Sequence, residues 1–244
     1  MKKIICLLVL TCVALGMFAC VGGNNQESST TTQTPPPAVT VMTWEEFMAA
    51  EADTEIVIEG YVQGKQSWWD NKCSVYLQDE NGGYYAYELT CSEEDYARLT
   101  VGTKIRITGY KTAWAGLQEI NAGATFEFVE GTYVAEPVDV TDKLGTDDLY
   151  NYQTMLVEFK GLTVVGIEYK NGEPGDDIYV NLSYNGAEYS FCVERYLTGP
   201  ETDLYALVGT LQAGEVIDVT GFAYWYNGIN THITAITVHT TPAE

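Results

Sequence analysis

Residues 102–110 read Gly-Thr-Lys-Ile-Arg-Ile-Thr-Gly-Tyr, and residues 214–222 read Gly-Glu-Val-Ile-Asp-Val-Thr-Gly-Phe. Both stretches start at a glycine, alternate apolar with polar residues, and end in Thr-Gly followed by an aromatic residue. Such alternation is typical of a strand with one buried face. An Asn-Gly turn precedes each stretch, at residues 81–82 and 185–186. The chain therefore repeats itself, and the repeat predicts two small domains of one architecture.

The first copy has the pattern of five strands with two short helices. Thr43 begins a capping box that predicts the first helix, and Ser92 caps a second helix that runs through Leu99. The Asn-Gly pair at residues 81–82 predicts a tight hairpin between the second and third strands. The predicted strands are residues 55–62, 73–79, 84–89, 104–111 and 117–129.

The second copy follows a connector, residues 139–152, in which we expect a helical turn. It repeats the order of the first copy, and residues 200–211 take the position of the helix between the third and fourth strands. The predicted strands are residues 155–165, 177–182, 188–193, 216–224 and 229–238.

Five strands with a helix between the third and the fourth, closing into a barrel, is the order of the OB-fold. On residues 75–83 (Val-Tyr-Leu-Gln-Asp-Glu-Asn-Gly-Gly) and 102–109, the chain resembles the small OB-fold domains of bacterial exported proteins and lipoproteins. The resemblance implies an all-β fold of two tandem five-stranded OB-fold-like β-barrels, each with a short helix. The expected domains are residues 41–137 and 138–244. Because the second copy lacks the Gln-Asp-Glu stretch, the resemblance does not imply a shared site there.

Residues 1–19 have the pattern of a secretory signal. Lys2 and Lys3 precede an apolar run, residues 4–16, that is shorter than the roughly 20 residues a membrane-spanning helix needs. When the two lysines leave with the signal, the formal net charge falls from −22 to about −24. So large an excess of negative charge opposes binding to polyanions. The charge therefore favours a neutral or cationic ligand over nucleic acid.

Residues 17–20, Met-Phe-Ala-Cys, resemble the lipobox of bacterial lipoproteins, in which the cysteine becomes the acylated N-terminus. The resemblance implies that Cys20 is lipidated, although ordinary cleavage and release is the alternative. Residues 20–40 are rich in Thr, Ser and Pro and predict a flexible tether. We therefore expect an exported protein held at the cell membrane or cell envelope by its lipid alone.

The sequence offers little for catalysis. It has two histidines, His232 and His239, both in the final strand region. On a regular strand their odd separation points them to opposite faces, as lone surface or barrel-rim residues. No nucleophile elbow, zinc-protease helix or phosphate-binding loop is present in the sequence. We expect no enzyme, no cofactor and no metal. An enzyme built around Cys91, just ahead of a helix start, is the remaining catalytic alternative.

Two further alternatives stay open at this point. Cys73 and Cys91 fall near each other across the predicted hairpin, but a shift of one in register would place them on opposite faces, so a disulfide is undecided. The acidic turn at residues 171–177 has oxygen ligands that suit calcium, but its spacing does not match an EF-hand loop. A solvated acidic turn is the other interpretation.

Aromatic residues give the clearest indication of a binding site. Trp68 and Trp69 lie between the first two strands and Trp114 lies between the last two, in the loops that flank the ligand surface of OB-folds. Trp225 and Tyr226 take the late-loop position in the second copy. Flat rings stack on sugars and bases alike, although one of the first pair could plug the barrel end and Trp114 could pack under its turn.

The sequence therefore predicts a lipid-anchored, extracytoplasmic, non-catalytic binding or scaffolding module of the cell envelope. Its ligand would be a glycan, a peptide or a protein. The alternative function is a nucleic-acid-binding OB-fold envelope protein.

Overall fold

The computed structural model describes residues 40–239. The predicted signal, Cys20 and nearly all of the tether, together with residues 240–244, lie outside the described residues. A short helix, α1 (Trp44–Ala49), comes first, and Thr43 caps it through the predicted capping box: its hydroxyl accepts from the Glu46 amide and its own amide donates to the Glu46 carboxylate.

The first copy folds as a closed ring of five strands. The strands are β1 (Glu55–Lys65), β2 (Lys72–Gln78), β3 (Gly83–Thr90), β4 (Thr103–Trp114) and β5 (Leu117–Ile120), and α2 (Glu93–Arg98) lies between β3 and β4. Neighbouring strands follow the order β1-β2-β3-β5-β4, and β4 pairs with β1 to close the ring. The ring also contains a parallel contact between β3 and β5, at Ala86 and Ile120. We call this ring barrel 1.

One strand predicted for barrel 1 is two strands in the structure. The pattern of residues 117–129 predicts a single strand, but the structure has β5 and a separate β6 (Thr125–Thr132) there. The break occurs because β4 is long enough to have two partners along one edge. Its end, from Lys111 to Trp114, pairs with β5, and its beginning pairs with β6.

The second copy repeats the ring, which we call barrel 2. Its elements are β7 (Val138–Asp139), 3-10 turns at Thr141–Lys143 and Asp147–Tyr152, β8 (Leu156–Tyr169), β9 (Ile178–Tyr184), β10 (Ala187–Val193), α3 (Asp203–Val208), β11 (Val216–Phe222) and β12 (His232–His239). The strand order is β8-β9-β10-β12-β11, β11 pairs with β8, and β10 meets β12 in a parallel contact at Cys192 and His232. The all-β fold class is therefore confirmed.

Each barrel has its own apolar core, and strand alternation decides which residues enter it. On β2, Val75 and Leu77 point into barrel 1, so Tyr76 between them points outward. Tyr85 on β3 and Leu117 on β5 also lie outside the barrel core. These three outward residues cluster with Phe222 of barrel 2, and we call this cluster the seam.

The seam is a close-packed contact. The Tyr76 and Phe222 rings stack with centroids 4.2 Å apart and planes 6° from parallel. The Tyr76 hydroxyl and His232 Nδ1 share a hydrogen bond of 2.7 Å. At Gly64 an added Cβ would lie 2.6 Å from the Phe222 ring, so only glycine allows this approach. Barrel 2 therefore covers part of the β2–β3 face, which OB-folds commonly use for ligands.

The prediction that both histidines are surface or barrel-rim residues is wrong for His232, which is buried. It is 6 % exposed because the seam covers it, whereas His239 lies at the exposed end of β12 beside Asp218. Burial lowers the pKa of His232 to about 3, so its imidazole is neutral at ordinary pH. Its role in the structure is a hydrogen bond across the seam.

Candidate ligand-binding clefts

The two loops that flank the expected binding surface of barrel 1 are both attached to barrel 2. In the loop after β1, the Ser67 amide donates to the Tyr196 carbonyl at 2.7 Å. In the turn after β4, the Ala115 carbonyl accepts from the Asn227 amide at 2.7 Å. The backbone of these loops is therefore fixed by the second barrel, and their remaining side chains border clefts between the barrels.

Two of the predicted site residues are held within the protein. The Trp68 indole is half-buried, and its Nε1 donates to the Cys91 carbonyl at 2.9 Å. Trp225 is half-buried against the seam and meets the Tyr150 ring edge-on, with centroids 5.3 Å apart. An added Cβ at Gly116 would lie 2.9 Å from the Trp225 ring, which shows how closely the turn approaches it.

The other three predicted residues present their rings to solvent. Trp69 is 57 % exposed, Trp114 is 59 % exposed and Tyr226 is 57 % exposed. Trp114 therefore does not pack under its own turn. Lys72 Nζ lies 4.1 Å from the centroid of the Trp69 ring, so that ring has one covered face and one open face.

Trp69 borders a cleft of about 380 Å³, which we call the Trp69 cleft. Its walls come from the loop after β1, from β2 and β3, and from barrel 2. The lining residues are Gln66, Ser67, Trp69, Cys73, Ser74, Tyr87, Glu88 and Tyr196.

Trp114 borders a second cleft, of about 390 Å³, which we call the Trp114 cleft. Its walls come from β3, β4 and β5, and from Tyr224 just after β11. The lining residues are Tyr87, Thr112, Ala113, Trp114, Glu119, Asn121 and Tyr224. Tyr87 lines both clefts, so the two adjoin along β3.

Tyr226 is not brought to either of these clefts. It lines a third cleft, of about 410 Å³, together with Trp225 and residues of β10 such as Glu188. The structure therefore separates the five predicted residues into two exposed rings at adjoining clefts, one exposed ring elsewhere, and two rings held in the fold.

Sequence reasoning missed Tyr87, Tyr196, Tyr224 and Glu119. The sequence does indicate the outward positions of Tyr87 and Glu119. Each lies next to a residue that points into the core, Ala86 and Ile120 respectively, so strand alternation places it on the outer face. For Tyr196 and Tyr224 no such signal exists, since they reach the clefts only through the contact of one barrel with the other.

Glu119 lies in the Trp114 cleft and is 7 % exposed. Burial alone raises the pKa of its carboxyl to about 7, because no positive charge or hydrogen-bond donor among residues 40–239 opposes the cost of desolvation. The phenols of Tyr87 and Tyr224 lie close enough for the Glu119 charge to raise the pKa of each.

Cys73 and Cys91 are free thiols, both buried. The close approach of the two thiols lowers the pKa of Cys91, and the same approach together with burial raises the pKa of Cys73. Cys91 Sγ also lies 3.3 Å from the Ser92 carbonyl. The thiols therefore adjoin without a bridge, and Cys73 forms part of the Trp69 cleft wall.

Three lysines near the cleft loops are engaged in internal contacts. Lys65 Nζ donates to the Tyr96 carbonyl at 2.5 Å, and Lys111 Nζ donates to the Met48 carbonyl at 2.7 Å. Lys72 pairs with Glu88 at 2.8 Å. These lysines therefore offer little unpaired positive charge to an anionic ligand. In the described part of the chain, the cation left beside the Trp69 cleft is Arg195, which lies against the Tyr196 ring and 3.9 Å from Asp176.

Within the described part of the chain, no three His, Cys, Asp or Glu side chains converge as metal ligands would. In the acidic turn, Lys170 Nζ pairs with Asp177 at 2.8 Å. Residues 40–239 also include no helix that is long and apolar enough to span a membrane.

No protein-family model matches the chain, and no curated protein matches it. Among solved structures, it is similar to a murine DNA binding protein bound with double-stranded DNA, at 11% identity and a TM-score of 0.37, over 77% of this chain and 98% of that one. It is also similar to the hypothetical protein ygiW from E. coli, at 18% identity and a TM-score of 0.28, over 38% of this chain and 94% of that one. Likeness at this level says nothing about function.

Proposed function

We propose that this protein is a non-catalytic binding module of the bacterial cell envelope, exported and anchored through a lipid on Cys20. Its ligand is a neutral or cationic glycan, peptide or protein. One observation carries the proposal: the exposed rings of Trp69, Tyr87 and Trp114 border two adjoining clefts between the barrels.

Exposed aromatic rings gathered at a cleft favour a binding role. A tryptophan ring buries a large area on contact, and its few rotatable bonds keep the entropic cost of ordering it low. Trp69 and Trp114 each leave more than half of their surface in water, and Tyr87, between them, is 41 % exposed. A ligand that covered all three rings would span both clefts.

The charge distribution favours a neutral or cationic ligand. Each phosphate contact of a nucleic acid needs a positive partner on the protein. Lys65, Lys72 and Lys111, near the cleft loops, are occupied by internal partners. Within residues 40–239, Arg195, against the Tyr196 ring, is a single remaining cation beside the Trp69 cleft. The net charge of about −24 after loss of the signal would repel a polyanion before contact.

Replacing Trp69 or Trp114 by alanine should weaken ligand binding. Loss of one stacking ring costs about 1–3 kcal/mol, so affinity should fall by roughly 5- to 150-fold. We would titrate the purified full chain with neutral oligosaccharides, with a lysine-containing peptide and with single-stranded DNA, at low and at high ionic strength. Tyr110→Ala is the matched control, because Tyr110 is 53 % exposed on β4 and lines neither cleft.

Equal affinity in Trp69→Ala, Trp114→Ala and the parent chain would remove the clefts from the proposal. Retention of single-stranded DNA at low salt, fading steeply as salt rises, would replace it with the nucleic-acid function.

The anchor makes a separate prediction. If the lipobox-like stretch is processed as the resemblance implies, the membrane fraction should contain a chain that begins at an acylated Cys20. Mass spectrometry of the N-terminal peptide checks this. An unmodified Cys20 in that peptide would contradict the anchored localisation and leave an exported, released protein.

A further inference from the structure

The Trp114 cleft has a carboxyl group in its wall and aromatic rings around it. Glu119 points away from the core of barrel 1 on the same side of β5 as Leu117, which belongs to the seam. Tyr224 approaches from barrel 2, and Tyr87 and Trp114 complete the aromatic wall. The second barrel therefore turns one outward position of β5 into part of the wall of a cleft.

The Glu119 carboxyl has no partner among the described residues. Buried carboxyl groups are normally paired or hydrogen-bonded, since desolvation of the charged form is costly. Lys111, on the neighbouring strand, directs its ammonium to the Met48 and Ala50 carbonyls instead. Among residues 40–239, Thr231 Oγ1 is the only side-chain polar atom that is both shielded from solvent and without a hydrogen-bond partner. The Glu119 carboxyl also lacks a partner, so its oxygens are not shielded from solvent; they are reached through the cleft that Glu119 lines.

The surrounding rings suit a cation as well. The faces of tryptophan and tyrosine rings carry negative electrostatic potential and attract ammonium groups, more strongly where water is excluded. A positive group in this cleft would lie among aromatic rings and beside a carboxylate. An apolar group would leave the carboxyl unpaired.

We propose that the Trp114 cleft binds the side-chain ammonium of a lysine in a peptide or protein partner. The ammonium pairs with Glu119, and the four-carbon stem lies between Trp114, Tyr87 and Tyr224. The assignment rests on the proposed function and names the ligand class for one of its two clefts.

The lining favours a lysine side chain over an amino sugar. A sugar ring carries several hydroxyl groups that need partners when they leave water. Apart from Glu119 and the phenols, the lining supplies the side chains of Thr112 and Asn121 as polar partners. The aliphatic stem of lysine needs only apolar contacts, and its ammonium is the one group that needs polar partners.

Binding of the ammonium is coupled to a proton. Burial raises the pKa of Glu119 to about 7, so an arriving cation displaces the carboxyl proton to solvent. The other titratable groups near these rings include Tyr85, Tyr87 and Tyr224, whose raised pKa values keep them neutral, and His232, neutral beside Tyr224. Two carboxyl groups also act on these phenols: Glu88, and Glu194, whose pKa is raised by burial. Affinity should therefore rise between about pH 5.5 and 8 as Glu119 ionises, by roughly 30-fold.

The test uses two blocked pentapeptides of alanine, one with a central lysine and one with norleucine, which has an aliphatic side chain without the ammonium. Isothermal titration with the purified full chain should show binding of the lysine peptide alone. Glu119→Gln should weaken it by about 10- to 100-fold and remove its pH dependence. Glu130→Gln removes the same charge from an exposed position on β6 and should change affinity by less than about twofold.

Trp114→Ala is a second variant that leaves Glu119 in place, and it should weaken the lysine peptide by about fivefold. Equal binding of the two pentapeptides, or equal affinity in Glu119→Gln and Glu130→Gln, would overturn the lysine assignment. So would a glucosamine oligomer that binds through Glu119 while the lysine peptide does not.

Failure of this assignment is distinguishable from failure of the proposed function. If a neutral oligosaccharide binds and Trp69→Ala weakens it while the lysine peptide stays inert, the lysine assignment is wrong and the binding function stands. If every probe stays unbound, both are wrong.

Discussion

Replacement of Phe222 by alanine should lower the free energy of unfolding by about 3–5 kcal/mol, the usual cost of removing a buried phenylalanine ring. Phe222 is 2 % exposed, and its ring contacts Tyr76 of the other barrel rather than the core of its own. The contacts that this substitution removes are therefore those of the seam. Urea unfolding followed by tyrosine and tryptophan fluorescence measures it, and a loss below about 1 kcal/mol would contradict a close-packed seam.

Phe126→Ala is the control, because Phe126 is a half-buried phenylalanine on β6 that packs at the margin of the barrel 1 core, away from the seam, and meets Phe128 edge-on. Removal of its ring should cost about 1–2 kcal/mol, less than removal of a fully buried ring. Gly64 allows a sharper test. Gly64→Ala alone places a Cβ 2.6 Å from the Phe222 ring and should be destabilising. In the Phe222→Ala background that collision is gone, so the double variant should be less destabilised than the sum of the two single variants.

Much of the fold could be predicted from the sequence because its determinants are local. The Asn-Gly pair at residues 81–82, the Thr43 capping box and the alternation in residues 102–110 each act over a few neighbouring residues. The repeat then fixed the order of elements in the second barrel. The break between β5 and β6 was missed because it arises from β4 sharing one edge between two strands, and such pairing leaves little trace in a single strand's pattern.

The candidate site was less predictable, for a related reason. The exposed positions of Trp69 and Trp114 follow from loop placement, which the order of strands gives. The fixed positions of Trp68 and Trp225 depend on the contacts that close barrel 1 and join it to barrel 2. Glu119 has the pattern of an ordinary half-exposed strand residue until the second barrel covers its surroundings.

The seam links stability to the proposed binding site. Tyr76, Leu117 and Phe222 hold the barrels together, and residues at the margins of this contact form the walls of both clefts. A variant that loosens the seam should therefore also weaken ligand binding, whereas removal of an exposed ring such as Trp69 should weaken binding without affecting stability. Comparing the two classes of variant distinguishes binding lost through a change in cleft shape from binding lost through removal of an aromatic contact.

Glu119→Gln should stabilise the protein above pH 7, by about 3 kcal/mol relative to its effect below pH 4.5. The pKa of Glu119 is near 4.5 in the unfolded chain and about 7 in the folded protein. Between these values the folded state holds a proton that the unfolded state has released. The contribution of Glu119 to stability is therefore fully present below pH 4.5 and is lost as the pH rises through 7.

His232 gives the stability of the parent chain a pH dependence of opposite sign, so the effect of Glu119 has to be measured as a difference between variants. Its pKa is lowered from 6.5 to about 3 on folding, so its contribution is fully present above pH 6.5 and is lost as the pH falls towards 3. Glu119→Gln keeps His232, and subtracting the two pH profiles cancels that contribution. Urea unfolding of the parent chain, Glu119→Gln and Glu130→Gln at several pH values between 4 and 8 gives the profiles.

A stability difference that grows from pH 4.5 to pH 7 in Glu119→Gln, and stays flat in Glu130→Gln, would show that the carboxyl is buried without a partner. A flat difference in both would mean that Glu119 is ionised and satisfied when folded, and the ammonium site would lose its physical basis. The same variant thus removes the charge that a lysine needs while strengthening the fold at neutral pH. Weaker lysine binding by a more stable protein cannot be attributed to unfolding.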